Sequence, residues 1–320
     1  MLLSSGEALI DFLPVAAADG GAAMRPCVGG SCYNVAVGMA RLGAPAGFIG
    51  GISTDLFGRM IEQHAKDSGV DLSFATRSAH PSKLAFVSVT DGQPQYAFFD
   101  ENTASRNWSY LPGAISFAGI EALHLGSSAL VDDASAAHSR ALIADARKTA
   151  IISFDPNCRP SRVTDKPSYL ANVASFVAAS DLVRMSDADF EFLYGGDDYA
   201  TKADSMLADG AQLVVVTRGE RGVKAWHARA GAFEATAPPT KVVDTVGAGD
   251  SFHAALLVAL RALGRIERTA LAEASRDELQ RALSFAATCA AITCSRAGAN
   301  PPRRGEVEGA MLELLKGGRQ

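Results

Sequence analysis

Short apolar runs alternate with longer amphipathic stretches along most of the chain. The runs at 2–10, 46–50, 122–125, 151–154, 182–185 and 213–217 are short and mainly apolar, as strands buried on both faces are. Between them, 33–42, 57–66, 134–148 and 168–178 carry apolar residues at three- and four-residue spacing, the period of a helix with one buried face. This alternation predicts an α/β fold: a doubly wound, mainly parallel sheet flanked by helices. The last third changes character. There 222–226 and 233–237 read as a pair of short antiparallel strands, followed by helices at 251–263 and 277–294. One further segment breaks the rhythm, because 84–90 and 96–99 are extended, β-rich runs separated by Asp91-Gly92, a strong hairpin-turn signal. A lone hairpin is marginal in water, so this one must pack on something.

Composition narrows the function classes. The chain has 320 residues, 48% of them hydrophobic and 20% charged, typical of a globular protein. A net charge of −5 argues against nucleic acid or an anionic membrane surface as partner. It leaves open an anionic small molecule held by backbone amides. The five cysteines, Cys27, Cys32, Cys158, Cys289 and Cys294, form no CxxC pair, and an odd count in a long chain fits reduced thiols of a cytoplasmic protein. Residues 1–14 include Glu7 and Asp11 and no basic segment, so no secretory signal is expected there. No apolar run is long enough to span a bilayer. The six histidines show no metal-ligand spacing, and His253 reads as a packed helix residue. Neither a Walker motif nor a dinucleotide-binding glycine pattern is present.

The chemistry concentrates in Asp244-Thr245-Val246-Gly247-Ala248-Gly249-Asp250, just ahead of a helical apolar run. A helix that starts at such a turn aims unpaired N–H groups and its positive dipole end at an anion, and Asp250 stands beside that point in the first turn. An anion cradle next to a carboxylate suits transfer of a phosphoryl group to a hydroxyl. Plain helix-start geometry, with Asp250 stabilising the dipole, accounts for the pattern equally well on its own. Asp11, read as ending the first strand, lies where open α/β sheets bind ligands, or else caps a turn before Pro14.

Two signatures resolve these alternatives. The phrase DTVGAGDSF resembles the C-terminal signature of the PfkB, or ribokinase-like, family of sugar and nucleoside kinases. Gly29-Gly30, Asn34, Ala36, Gly43, Gly50-Gly51, Asp55 and Gly58 resemble its N-terminal signature. The resemblance covers nearly the whole chain. It implies a single ribokinase-like domain over 1–320, with a small β lid contributed by about 10–30 and 84–106. It also implies ATP and Mg²⁺ as cofactors, with Asp250 as catalytic base and the backbone amides of Gly247, Ala248 and Gly249 as anion hole. Asp11, Gly29, Gly30 and Asn34 would bind the sugar, and Asn157 and Arg159 of the Asp155-Pro-Asn-Cys-Arg159 segment would serve the phosphate or sugar side. Thr217, Gly219 and Gly222 match the nucleotide turn T-x-G-x-x-G. Ser186 and Asp189 stand where the family has N-x-x-E; the shorter Asp189 would still support Mg²⁺ through water. Asp244 and Gly298 correspond to a monovalent-cation site, for K⁺ in many relatives.

The segment Tyr96 to Arg106 resembles the lid-to-core stretch of bacterial fructokinases, which places Phe98 and Arg106 in the sugar pocket. The run 84–99 contains no cation, which favours a neutral sugar over a phosphosugar. The resemblance therefore implies an ATP-dependent kinase that converts fructose to fructose 6-phosphate. The rival acceptors within the family are 2-keto-3-deoxygluconate, ribose and adenosine. A catalytically inactive regulator that binds sugar or nucleotide is the reading from another class. An exposed lid edge invites self-pairing, so a homodimer joined through the lid is expected, with small molecules as the other partners and neither nucleic acid nor membrane.

Overall fold

The computed structural model describes residues 1–16, 21–90, 93–130 and 132–316. Fourteen strands occur among them: β1 (Leu2–Ser5), β2 (Leu9–Ala16), β3 (Ala22–Gly29), β4 (Ala46–Ile49), β5 (Gly51–Ser53), β6 (Thr76–Ser78), β7 (Lys83–Thr90), β8 (Gln93–Phe99), β9 (Ala122–Gly126), β10 (Ile151–Asp155), β11 (Leu182–Ser186), β12 (Leu213–Thr217), β13 (Val223–His227) and β14 (Gly231–Ala235). Eight form the main sheet in the order β14-β13-β12-β11-β10-β9-β1-β4. The six from β12 to β4 run parallel, and β13 and β14 add an antiparallel edge. This is the predicted mainly parallel sheet, with its antiparallel pair where the last third of the sequence changes character.

Ten α-helices and four short 3-10 helices also occur among the described residues, the α-helices being α1 (Ser31–Arg41), α2 (Leu56–Ser68), α3 (Asp133–Ala146), α4 (Lys166–Ala178), α5 (Asp187–Tyr194), α6 (Tyr199–Ala208), α7 (Ala248–Ala262), α8 (Arg268–Ala272), α9 (Arg276–Cys294) and α10 (Glu308–Leu315). Side chains alternate across each strand, and β12 shows the result. Leu213 and Val215 pack into one apolar layer with residues of α1, α7 and α9, while Val214 and Val216 pack into the opposite layer with α3, α4 and α6. Burial on both faces is why these strands read as mainly apolar runs. None of the described helices is long and apolar enough to cross a membrane.

The run 2–10, expected as one strand, is two. β1 belongs to the main sheet. The chain then leaves that sheet at 6–8 and re-enters structure as β2, in a separate four-stranded sheet ordered β3-β2-β7-β8. Leu9 and Ile10 are buried at the start of β2, and the change of sheet falls within the polar interruption Ser4-Ser5-Gly6-Glu7 of the run. Asp11 is therefore the third residue of a lid strand, opposite Cys27 of β3, and does not end a core strand. β7 and β8 pair antiparallel as the hairpin signal predicts; the Asp91-Gly92 turn itself lies outside the described residues. Residues 100–106 lead back to the core, where the Ser105 hydroxyl donates to the Ala8 carbonyl at 3.2 Å.

Candidate active site

The C-terminal ends of β10 and β11 and the N-terminus of α7 face the lid sheet across a cleft of about 620 Å³. Its lining includes Asp11, Gly30, Asn34, Phe98, Asn157, Arg159, Asp189, Gly247, Gly249 and Asp250. Residues predicted from widely separated segments are thus brought to one place. Gly29 closes β3 beside Asp11, and Gly30 caps α1.

Asp250 is buried in the first turn of α7. Its carboxylate accepts from Ser31 Oγ at 2.8 Å and from Asn34 Nδ2 at 2.8 Å. Asn34 thus holds the candidate base, a contact that the sequence did not reveal, and Ser31 was not singled out at all. Burial pushes the Asp250 carboxyl up to about 6, against the lowering effect of the Asn34 and Ser31 hydrogen bonds. Asp11 is likewise raised to about 6, first by burial and then by the charge of Glu7. A base must be ionised to accept a proton. Turnover should therefore rise with pH through about 6 and level off above it, and a pH profile of kcat/KM checks this.

Gly247 caps α7 in the left-handed region at φ 74°, where a side chain is strained. Ala248 N–H donates to the Thr245 carbonyl at 3.2 Å, which fixes the turn. Beneath the turn lies Arg184, a buried cation inside the otherwise apolar run of β11. A Cβ built on Gly249 would lie 2.8 Å from Arg184 Nη1. Arg184 donates to Asp155 Oδ2 at 2.6 Å and to Thr217 Oγ1 at 2.5 Å, while its buried Nε has no hydrogen-bond partner. Burial acts to raise the Asp155 carboxyl, but the Arg184 charge outweighs it and holds the group well below the usual range. His253 is packed as expected, fully buried with Nε2 2.5 Å from Ser153 Oγ. A lone cation in a buried strand was the sequence signal that would have found Arg184.

The remaining predicted residues sort by position. Asn157 turns with φ 37° and accepts from Arg159 Nη1 at 2.5 Å. Asp189 accepts from Cys158 N–H at 2.7 Å and from the backbone N–H and hydroxyl of Ser186 at 2.9 and 2.6 Å. The altered Ser-x-x-Asp pair is thus a capping box for α5. Thr217 ends β12, with Gly219 and Gly222 in the turn after it. Asp244 and Gly298 meet through the Gly298 N–H, which donates to Asp244 Oδ2 at 2.8 Å. Arg106 is not in the lining of the large cleft. It pairs with Asp132 at 2.8 Å and lines a smaller neighbouring cavity with Lys83, Asp100 and Trp108. The cations that do reach the cleft from this side are Lys83 and Arg162, one residue before the lid run and three after Arg159. Sequence inspection passed over both.

A carboxylate beside a helix-terminal anion cradle, at the strand ends of an α/β sheet and under a β lid, defines a phosphotransferase site. Residues 1–304 match the family described as pfkB family carbohydrate kinase, and the chain belongs to that family. It is 37% identical over 263 residues to a fructokinase of Rhizobium leguminosarum bv. trifolii, covering 82% of this chain and 80% of the relative. It is 33% identical over 326 residues to fructokinase-1 of Oryza sativa subsp. japonica, covering 99% and 98%. The crystal structure of a fructokinase from Xylella fastidiosa with bound ATP superposes with a TM-score of 0.88 at 26% identity, covering 98% of each chain. The enzyme is accordingly a phosphotransferase acting on a sugar.

Proposed function

We propose that this chain is an ATP-dependent fructokinase, transferring the γ-phosphoryl group of Mg-ATP to fructose to give fructose 6-phosphate. The observation that carries the transfer chemistry is the buried Asp250 carboxylate, fixed by Ser31 and Asn34 in the first turn of α7 beside the Gly247–Gly249 turn. Fructose is supported by the fructokinase relatives and by the polar wall that Asp11, Gly30 and Asn34 present to the cleft. In this reading Asp250 takes the proton of the acceptor hydroxyl as its oxygen attacks phosphorus. The Gly247 and Gly249 amides receive the phosphoryl oxygens, the Ala248 N–H being engaged by the Thr245 carbonyl, and closure of the lid sheet keeps water from competing. Arg159 serves the phosphates, and Thr217, Gly219 and Gly222 the nucleotide.

The donor set suits Mg²⁺ carried in with the nucleotide. Among the described residues no group of three His, Cys, Asp or Glu side chains is placed to hold a metal, and both Asp189 oxygens already accept hydrogen bonds. Such a site leaves the ion to phosphate oxygens and water, with Asp189 in reach through water. Bound there, the metal supplies neutralisation of phosphate charge. Chelation with EDTA should abolish turnover while the melting temperature of the ligand-free protein stays unchanged; a melt that collapses would reveal a structural metal instead. Asp244 and Gly298 are the place for K⁺. The enzyme works in the cytoplasm as a homodimer joined through its lids, a reading supported by the exposed Val15, Met24 and Phe99 on lid strands.

The test is steady-state phosphorylation with Mg-ATP across fructose, ribose, adenosine, 2-keto-3-deoxygluconate and fructose 6-phosphate. Fructose should give the highest kcat/KM. A clear preference for another acceptor would keep the Asp250 chemistry and overturn the sugar assignment.

A further inference from the structure

The lid is joined to the core by charged residues. Glu7 precedes β2, Lys83 opens β7 and Asp100 follows β8, so three crossings between lid and core bring these side chains together. Lys83 Nζ lies 3.5 Å from Glu7 Oε2 and 3.5 Å from Asp100 Oδ2, with its side chain 1% exposed. Arg162, from the turn after β10, pairs with the same Asp100 oxygen. Both cations also face the Phe98 ring, Lys83 at 5.8 Å and Arg162 at 5.2 Å from its centroid. Glu7, Lys83, Phe98 and Arg162 all line the large cleft.

Two cations in a buried cleft wall form a ready receptor for a carboxylate or phosphate. Here each is already committed to a carboxylate, and the cluster holds two acids and two bases. An anionic sugar entering this cleft would have to displace Asp100 from Arg162 and then stand near Glu7 and Asp11 as well. Separating a buried pair leaves an uncompensated charge and is strongly unfavourable. We propose that Asp100 is a specificity-determining residue, which occupies Arg162 and Lys83 and so restricts the pocket to uncharged sugars. The inference rests on the sugar-kinase reading of this cleft and adds what excludes acidic acceptors from it.

Asp100→Asn keeps the shape and removes the charge. The kcat/KM for 2-keto-3-deoxygluconate relative to fructose should rise at least ~10-fold, corresponding to about 1.4 kcal/mol. The gain should vanish in Asp100→Asn/Arg162→Gln. Asp100→Ser provides the same test should the amide not be accommodated, and thermal melts establish that each variant is folded. An unchanged ratio in a folded variant overturns the proposal, as does a rise that survives loss of Arg162. A wild-type enzyme that prefers another uncharged sugar refutes fructose but leaves this inference standing, with the ratio taken to that sugar. One that turns over 2-keto-3-deoxygluconate best overturns it outright.

Discussion

Asp250→Asn lowers kcat for fructose phosphorylation by ~10²–10⁴-fold, the usual contribution of a general base, while fructose and ATP still bind. The side chains are nearly the same size, the asparagine carbonyl still accepts from Ser31, and the Asn34 amide, turned over, accepts from the new NH2 through its own carbonyl, so the cleft keeps its form. What is lost is the group that takes the hydroxyl proton. The same substitution has an opposite effect on stability. The folded-state pKa of Asp250 is raised from 3.8 to about 6, so the folded state binds this proton more tightly than the unfolded chain does. That contribution favours folding below pH ~4 and is lost as pH rises through about 6. At pH 8 the wild type therefore holds a buried charge at a cost that the variant avoids, and Asp250→Asn should melt a few degrees higher. At pH 5 the difference should narrow. Melts at the two pH values, set beside the kinetics, distinguish a catalytic group from a structural one. Stabilisation with loss of turnover is the expected pair, whereas destabilisation at pH 8 together with normal kcat contradicts the assignment.

Gly249→Ala is the second large effect, and it acts through space. The new Cβ would lie 2.8 and 2.9 Å from Arg184 Nη1 and Nη2 and 3.2 Å from Cζ. The guanidinium has nowhere to withdraw, being buried and tied to Asp155 and Thr217. Either the first turn of α7 lifts away from Arg184, or the Arg184–Asp155 pair breaks. Both misplace the amides meant for the phosphoryl oxygens, and loss of one such donor elsewhere costs ~10²–10³-fold in kcat. A drop of that order in kcat, with fructose affinity nearly retained, is expected from steady-state kinetics and direct sugar binding. Ala248→Ser, one residue earlier, should leave turnover within a few-fold of wild type. Equal behaviour of the two variants would remove the special closeness of Gly249 from the account.

Much of this was legible in the sequence, for identifiable reasons. The runs that became β10, β11 and β12 are apolar on both faces because helices cover both faces, and Asp250 could be placed because a glycine turn led into a long apolar helix. The failures share one physical origin, since periodicity reports burial and says nothing of which sheet a strand joins. Apolar residues stand on both sides of the passage from core to lid, and only Ser4-Ser5-Gly6-Glu7 mark it; with 2–10 read as one strand, Asp11 falls at the end of the wrong one. Arg106 was assigned to the sugar side, yet Asp132 at the start of α3 holds it in a neighbouring cavity. Arg162, not singled out, faces Phe98 in its place. Asn34 showed a polar side chain in a helix; that it holds Asp250, far along the chain, is a long-range contact that only the fold reveals.

The most direct test of the central claim is ATP turnover by wild type and Asp250→Asn with and without fructose, with calorimetric binding of fructose and ADP to both. Fructose-dependent turnover is expected in the wild type and should nearly disappear in the variant, while both ligands bind the two proteins with similar affinity. Fructose-dependent turnover of the variant at the wild-type rate would contradict the claim.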